Sequence, residues 1–413
     1  MSSGRVLDNR SKPNTLSPGS DGPFKWKAAL VLFGILFVGV SDIQLIPPLL
    51  PLIAPDVGTT AGRAGTIVTM YALAAAVFAL LAGTMSDRLG RKRLILLALG
   101  VFGTAALLTF QASYFSTLLV TRMLTGLAAG ALSTLGLSYA ADFYPYRHRG
   151  KAMGIISMAY FLAFVIGIPA GSLIAARFGW RWVFIGLAGA SIVMLVLAFF
   201  FLPDDRRRSP STPSTSIFTH FRNRQRVAGI VAAFLTSGGL VGFLTYVGAW
   251  LSASEGIGIE RIYPLFMVAG IAATAASPVS GWLSDRIGKK SIIVWANVGL
   301  ALMFLVVSEM SWGVVLFVGV VLLSITASAR QAPLHALTTE LVSSDMRGSY
   351  VAVRNAASQL GIAAIAAASA LAFDTVGFAA VAWIAAGATI LIPPVCRWIA
   401  EPPPTNKSAN PAD

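Results

Sequence analysis

The sequence predicts an all-α membrane protein with twelve transmembrane helices arranged in two six-helix bundles. Of its 413 residues, 56% are hydrophobic and 12% are charged, whereas soluble domains carry about 25% charged residues. A soluble fold would have to expose this excess of apolar side chains to water, so the expected solvent is lipid. The net charge of +14 lies in short runs between apolar segments, which suits an anionic bilayer surface and not a nucleic acid.

Twelve apolar segments are long enough to cross a bilayer. A spanning helix needs about 20 such residues, and only a helix satisfies its own backbone amides inside lipid. We place the spans near residues 28–50, 64–85, 94–112, 116–139, 152–176, 182–202, 227–251, 262–284, 291–308, 314–337, 350–373 and 377–396. The first is long enough to span, so we expect an uncleaved helix after a polar tail.

The loops are strongly asymmetric in positive charge. One set of loops and tails holds 25 Lys and Arg residues, and the other set holds four. The positive-inside rule therefore predicts cytoplasmic termini in a plasma membrane, in a bacterium the inner membrane. The expected divisions are a disordered tail 1–27, a first bundle 28–202, a central linker 203–226, a second bundle 227–400 and a tail 401–413. The end of the linker, 217–226, fits either a short interfacial helix or a solvated loop.

The second half repeats the first at an offset of 198 residues. The eleven-residue stretch that begins at Gly83 matches the stretch that begins at Gly281, with six identical positions. At the same offset Asp142 matches Glu340, and Arg149 matches Arg347. Six-helix repeats of this kind predict a binding site between the bundles, near the middle of the bilayer.

These repeated residues carry a resemblance to the major facilitator superfamily over almost the whole chain. The loop after the second span reads Gly-x-x-x-Asp-Arg-x-Gly-Arg-Lys, and Arg122 begins an Arg-x-x-x-Gly motif. Gly167, Pro169 and Gly171 resemble the span 5 motif of the twelve-span drug and sugar antiporters, although Ile168 separates Gly167 from Pro169. The resemblance implies alternating access and, from span 5, a proton-coupled exporter.

The repeated loop motif is expected to form a gate on the cytoplasmic face. A carboxylate at the end of span 2 can accept hydrogen bonds from a neighbouring helix N-terminus, and the basic residues can reach the acidic end of span 4. Contacts of this kind would stabilise the state in which that face is closed. The alternative is that the charges only fix orientation. The gate residues are Gly83, Asp87, Arg88, Gly90, Arg91 and Asp142, with Gly281, Asp285, Arg286, Gly288 and Glu340 in the second half.

Asp42 and Arg122 are the predicted proton-coupling residues. An ionisable side chain inside a span is costly unless it is paired or lines a cavity, which makes it a functional candidate. At about 1.5 Å per residue, both lie in the outer part of the bilayer, so they can meet. Asp42 is the only carboxylate well inside a span. A purely structural pair near the outer surface is the alternative.

Other polar residues inside the spans are candidates for a substrate cavity. Arg330 lies too near the cytoplasmic side to meet Asp42, and it can bind an anionic group or snorkel to the surface. His335 fits a packing residue better than a proton carrier. The remaining candidates share a polar or aromatic side chain, a type that also mediates helix packing. They are Tyr71, Tyr160, Tyr246, Trp250, Gln331, Asn355 and Gln359.

The leading interpretation is therefore a secondary transporter, a proton-coupled antiporter that exports a small organic solute. The alternatives are a proton-coupled symporter that takes up a small organic anion, and a membrane sensor without transport. The sequence has no Gly-x-x-x-x-Gly-Lys-Ser/Thr loop and no His-Glu-x-x-His motif, which argues against an ATP-driven pump or a metalloenzyme. We expect no enzyme activity, cofactor or metal; the partners are the solute, protons and lipid, and the protein is a monomer.

Overall fold

The computed structural model describes residues 23–204, 217–342 and 346–400. The undescribed residues are 1–22 of the first tail, 205–216 of the linker, 343–345, and the tail 401–413. Within it, twelve helices are long and apolar enough to cross a membrane, which confirms the predicted number. Eleven of them extend beyond the predicted apolar segment, by up to six residues at one end, because polar residues continue the helix, whereas the last begins one residue later than predicted, at Phe378.

The twelve spans are numbered α1 to α12 in chain order, and three of them contain an interruption. The first bundle contains α1 (Trp26–Asp56), α2 (Ala61–Leu89), α3 (Arg91–Phe110), α4 (Phe115–Phe143), α5 (Tyr146–Leu162, Ala163–Gly167 and Ile168–Phe178) and α6 (Trp180–Phe201). The second contains α7 (Arg224–Glu255), α8 (Ile259–Ile287), α9 (Lys289–Ser308), α10 (Val314–Ala329 and Gln331–Thr339), α11 (Arg347–Thr375) and α12 (Phe378–Ile390 and Ile392–Cys396).

Proline has different effects in α1 and α5. In α5 a π-helical turn, Ala163–Gly167, comes shortly before Pro169, whose ring nitrogen has no hydrogen to donate to the preceding turn. In α1 the sequence predicts a loosened outer end at three prolines. The helix instead remains continuous through Pro47, Pro48 and Pro51, all on a largely buried segment, because packing against neighbouring helices holds the backbone in place.

The bundles meet chiefly through α1 with α7, α2 with α11, and α5 with α8. We call the side of the molecule with Trp26 and Cys396 the termini side, and the side with Asp56 and Thr375 the far side. α5 packs on α8 mainly through its π turn and its far-side segment. α7 crosses α1 at Gly248, where a Cβ would collide with the carbonyl oxygen of Pro47. The two bundles are therefore in close contact on the far side.

The residues before α7 form a short helical segment that packs against α11. Ile217–Arg222 is a 3-10 helix, and the Asn223 side chain caps α7 by accepting from the backbone N–H groups of Gln225 and Arg226. His220 is buried, 2.8 Å from the Ser349 hydroxyl. Burial, with a smaller contribution from the charge of Arg226, lowers the pKa of His220. Of the two predicted alternatives, a folded segment is observed.

Candidate functional site

A buried ion pair between α1 and α4 is the centre of the first bundle. Nη1 of Arg122 lies 2.8 Å from Oδ1 and 3.1 Å from Oδ2 of Asp42. The side chains are 1% and 0% exposed. The two helices meet at this depth because Asp42 and Arg122 lie at similar distances from the far side, as the helical rise predicts. The pair lies within the first bundle and is screened from water.

The rest of the Arg122 side chain is held by neutral groups. Its Nη2 donates to the hydroxyl of Thr109 at 3.2 Å, and its guanidinium lies 4.7 Å from the ring centre of Phe184. Its Nε has no hydrogen-bond partner among the described residues. Asp42 is thus the one negative charge that compensates Arg122 in the described structure.

The span 5 motif packs against α1 beside this pair. A Cβ on Gly167 would come within 2.6 Å of the Ser41 hydroxyl, and one on Gly171 would collide with the Leu45 side chain. Ser41 directly precedes Asp42, and Leu45 follows it by less than one turn. Glycine at both positions therefore allows α5 to approach α1 next to the carboxylate, and the π turn lies at the same level.

The buried ion pair between Asp42 and Arg122 is stable only while both side chains are charged, so the addition of a proton would disturb it strongly. A charge in a dry interior is stable only with its partner, and the loss of one partner costs about 3–5 kcal/mol. Protonation of Asp42 would leave Arg122 as an uncompensated buried cation. Asp42 and Arg122 therefore depend on each other as charged groups inside the first bundle.

In the second bundle, Arg330 is held among neutral groups. It is 0% exposed, so it does not snorkel. Nη1 donates to the Asn297 side-chain oxygen at 2.9 Å, and Nη2 donates to the backbone carbonyl of Thr236 at 2.9 Å. It separates the two segments of α10 and turns into its own bundle. The direction in which α10 turns the Arg330 side chain prevents it from snorkelling. The position of a residue along the chain predicts its depth in the bilayer but not this direction.

A second arginine of this bundle is also buried. Arg354 in α11 is 6% exposed. Nη1 donates to the Thr338 hydroxyl at 2.9 Å, and Nη2 lies 2.5 Å from Nδ1 of His335. His335 is exposed and contacts this guanidinium. The two residues therefore link α10 and α11 near the termini side.

The predicted cavity residues are not all open to a cavity. Tyr71 and Tyr246 are buried, Trp250 is half-buried, and the Tyr246 hydroxyl donates to the carbonyls of Gly62 and Ala366 at 3.3 Å. Tyr246 thus closes the far side instead of lining an open cavity, because α1, α2 and α11 pack around it. Tyr160 is 42% exposed. The polar candidates of α10 and α11, Gln331, Asn355 and Gln359, are half-buried.

At the termini side, the predicted gate residues form ion pairs inside each bundle. Arg91 at the start of α3 pairs with Asp142 at the end of α4, and Lys289 lies 2.7 Å from Glu340 in the equivalent place. Each pair lies within one bundle, so a rigid motion of the bundles would not by itself break these two pairs. The side chains of Asp87 and Arg88 lie outside the described part.

A contact between the bundles on the far side was not predicted. Asp374, at the end of α11, accepts from the Thr60 hydroxyl at 2.5 Å and from the backbone N–H of Gly62 at 2.9 Å. The carboxylate therefore caps the N-terminus of α2 from the opposite bundle. We call this contact the far-side latch. Asp374 has no acidic counterpart in the first half, so the repeat gave no signal for it.

Two six-helix bundles that pack along a shared interface, with a buried ion pair in one of them, are the architecture of a secondary membrane transporter. The sequence model of the Major Facilitator Superfamily matches residues 32–307 and 255–413. The chain belongs to this superfamily, whose members transport small solutes and are not enzymes. It is a multi-pass membrane protein.

Relatives and solved structures agree with this class. The uncharacterised MFS-type transporter YbcL of Bacillus subtilis is 24% identical over 364 residues, which cover 87% of this chain and 92% of the relative. The purine ribonucleoside efflux pump NepI of Escherichia coli is 29% identical over 285 residues, 68% and 69% of the two chains. A D-xylose-proton symporter superposes with a TM-score of 0.74 at 16% identity, over 92% of this chain and 98% of its own. The human organic anion transporter TETRAN superposes with a TM-score of 0.68 at 19% identity, over 91% and 100%.

Proposed function

We propose that the protein is a proton-coupled antiporter that exports a small organic solute by alternating access. The observation that carries the proposal is the ion pair between Asp42 and Arg122, which is fully buried within the first bundle. Its carboxylate is the one buried acidic side chain of the described chain. Among the described spans, Asp42 is therefore the one buried acidic side chain that can carry a proton across the membrane.

Export is the direction that two observations favour. The span 5 glycines pack on α1 around Asp42, so the antiporter-like motif lies beside the residue that we propose for coupling. Relatives at 29% identity are efflux pumps for purine ribonucleosides. Purine ribonucleosides are therefore the first solutes to test.

The coupling cycle uses the competition of proton and arginine for one carboxylate. In the described state Asp42 is paired, and the far side is closed by Tyr246 and the far-side latch. When the far side opens, water reaches the pair, and a proton from outside neutralises Asp42. After the return to the closed state, Arg122 attracts the carboxylate again and releases the proton to the other side.

The orientation, the membrane and the oligomeric state belong to the same proposal. The excess of Lys and Arg on the termini side supports a cytoplasmic location of that side in a bacterial inner membrane. A monomer suffices, because both bundles and the interface come from one chain. A cysteine introduced at Ser254, an exposed far-side residue, should react with an impermeant maleimide in intact cells, whereas one introduced at Asn223 should not.

The test of the function is solute flux in inverted membrane vesicles. An acidic lumen should drive uptake of a labelled purine ribonucleoside, or of another solute found by a thermal-shift screen, and collapse of the pH gradient should stop accumulation. Accumulation driven instead by an acidic exterior, with protons entering the lumen together with the solute, would identify the symporter. A protein that binds the solute and never moves it would be a sensor.

The symporter for organic anions has one structural observation in its favour. Arg330 and Arg354 are buried in the second bundle without a carboxylate partner among the described residues. Fixed positive charge of this kind suits an anionic solute moving in either direction. The flux assay separates the two functions by the direction of proton movement.

A further inference from the structure

The second bundle contains a polar cavity that the proposed proton coupling does not use. It has a volume of about 20 Å³ and lies between α7, α10 and α11. Its lining includes the polar side chains of Thr236, Ser237, Gln331, Arg354 and Ser358. This volume exceeds the roughly 10–15 Å³ that one water molecule requires, so a single small polar group or monoatomic ion fits.

The cavity carries positive charge that the protein itself does not neutralise. Two donors of Arg354 bond to the Thr338 hydroxyl and to His335, while its Nε has no hydrogen-bond partner among the described residues. The buried hydroxyl of Thr236 on the opposite wall is also without a partner there. The backbone carbonyl of the same Thr236 receives Arg330, which brings a second buried cation close to this wall.

Buried cations of this kind need a negative partner. A cation in a low-dielectric interior is destabilised by several kcal/mol unless an opposite charge compensates it. In the first bundle Asp42 supplies that charge, and no other Asp or Glu side chain is buried in the described part of the chain. The second bundle therefore has the donors of an anion site and no buried carboxylate among its described residues to accept from them.

The position of the cavity makes it accessible from the interface between the bundles. α7 and α11 are the helices of the second bundle that pack against α1 and α2, so the cavity lies on the inner face of its bundle. His335, which also lines it, is exposed. An anion can thus enter beside His335 without unfolding a helix.

We propose that this cavity binds a small anion, of the size of chloride or a single carboxylate, with Arg354 as the residue that holds it. Two sources share this chemistry: a free inorganic anion that compensates the arginines permanently, and the acidic group of an organic solute. The site is independent of Asp42, so it stands or falls separately from proton coupling.

The test is anion-dependent thermal stability of the purified full chain. Cys396 is the single cysteine and is buried, so its reaction with a thiol-specific dye reports unfolding. Sodium gluconate is replaced by sodium chloride, or by sodium acetate, at constant ionic strength. We expect a saturable rise in the unfolding midpoint with one of these anions. Arg354→Gln should weaken its apparent affinity by at least about tenfold.

Two further variants keep the test decisive. Ala233→Val adds methyl groups to the cavity wall while it leaves both arginines in place, and it should also abolish the shift even if Arg354→Gln does not fold. Arg222→Gln removes an exposed arginine of the termini side and should respond like the wild type. A response to chloride identifies a free inorganic anion, and a response to acetate alone identifies an organic acid. Equal midpoints in all three salts, or a wild-type response from Ala233→Val, would overturn the proposal.

Discussion

Each bundle buries arginine in its interior, but the two bundles compensate the charge differently. In the first, Arg122 faces a carboxylate at 2.8 Å. In the second, Arg330 is held by an amide oxygen and a backbone carbonyl, and Arg354 by a hydroxyl and an imidazole. The sequences are related by a repeat, yet neither Asp42 nor Arg122 has a charged counterpart 198 residues later.

The difference separates two tasks that a coupled carrier has to perform. An arginine beside a carboxylate can be switched, because the carboxylate takes or loses a proton while the arginine stays charged. An arginine among neutral acceptors cannot be switched by protons at an acidic partner. The first bundle is thus suited to the proposed proton coupling, and the second to the proposed binding of an anion.

A double-mutant cycle at the ion pair should show the largest effect. Asp42→Asn leaves Arg122 buried without a counter-charge and should lower the free energy of unfolding by about 3–5 kcal/mol. Arg122→Gln should cost less, because the remaining carboxylate can take up a proton. The combination of both substitutions should recover much of the loss, and thermal or denaturant unfolding followed at Cys396 measures each step.

Arg330→Gln is the matched control in the other bundle. It removes hydrogen bonds to neutral acceptors and should cost about 1–3 kcal/mol. Its effect should add to that of Asp42→Asn without coupling, because the two lie in different bundles. If the Asp42 and Arg122 substitutions were also simply additive, the contrast between the bundles would be wrong.

Overpacking at the span 5 motif should have the next largest effect. Gly171→Val forces a branched side chain into Leu45, so we expect a loss of about 1–3 kcal/mol in stability and slower transport. Gly189→Val in α6 is the control, since a Cβ there meets nothing within 4 Å. Equal transport rates for the two variants would remove the motif from the coupling site.

Loss of the far-side latch should change the balance of the two states moderately. Asp374→Asn weakens contacts that cross between the bundles, whereas Asp56→Asn weakens the contacts to Trp180 and Arg181 inside the first bundle. Only the former should increase maleimide labelling of a cysteine at buried Ala366, in a Cys396→Ser background. Labelling that is unchanged, or equal in both variants, would show that the latch does not hold the far side closed.

The smallest effect is expected at the termini side. Glu340→Gln removes an ion pair in which the Glu340 side chain is 42% exposed, so the stability change should be below about 1 kcal/mol.

Asp87→Asn should still slow transport, since the repeated Asp-Arg loop is expected to act as a gate between the two states. Transport by Asp87→Asn at the wild-type rate would leave these charges with orientation as their only role.

The fold could be predicted from the sequence because hydropathy, charge asymmetry and the internal repeat are all patterns that are read along the chain. The contact between Asp42 and Arg122 could be predicted too, because the rise per residue of a helix gives the depth of each side chain in the bilayer. The rise does not give the rotation of a helix about its own axis. This rotation determines that the Arg330 side chain points into its bundle instead of snorkelling. Contacts between distant helix ends, such as Asp374 with Gly62, depend on how the bundles meet, and no local pattern encodes that.

Gradient-driven flux through Asp42 variants tests the central claim most directly. In inverted vesicles with an acidic lumen, the wild type should accumulate labelled solute. Asp42→Asn should bind the solute and fail to accumulate it, and the combined Asp42→Asn and Arg122→Gln variant should behave the same way while it folds more stably. Accumulation by either variant that still follows the imposed pH gradient as fully as in the wild type would show that the proton moves by another route.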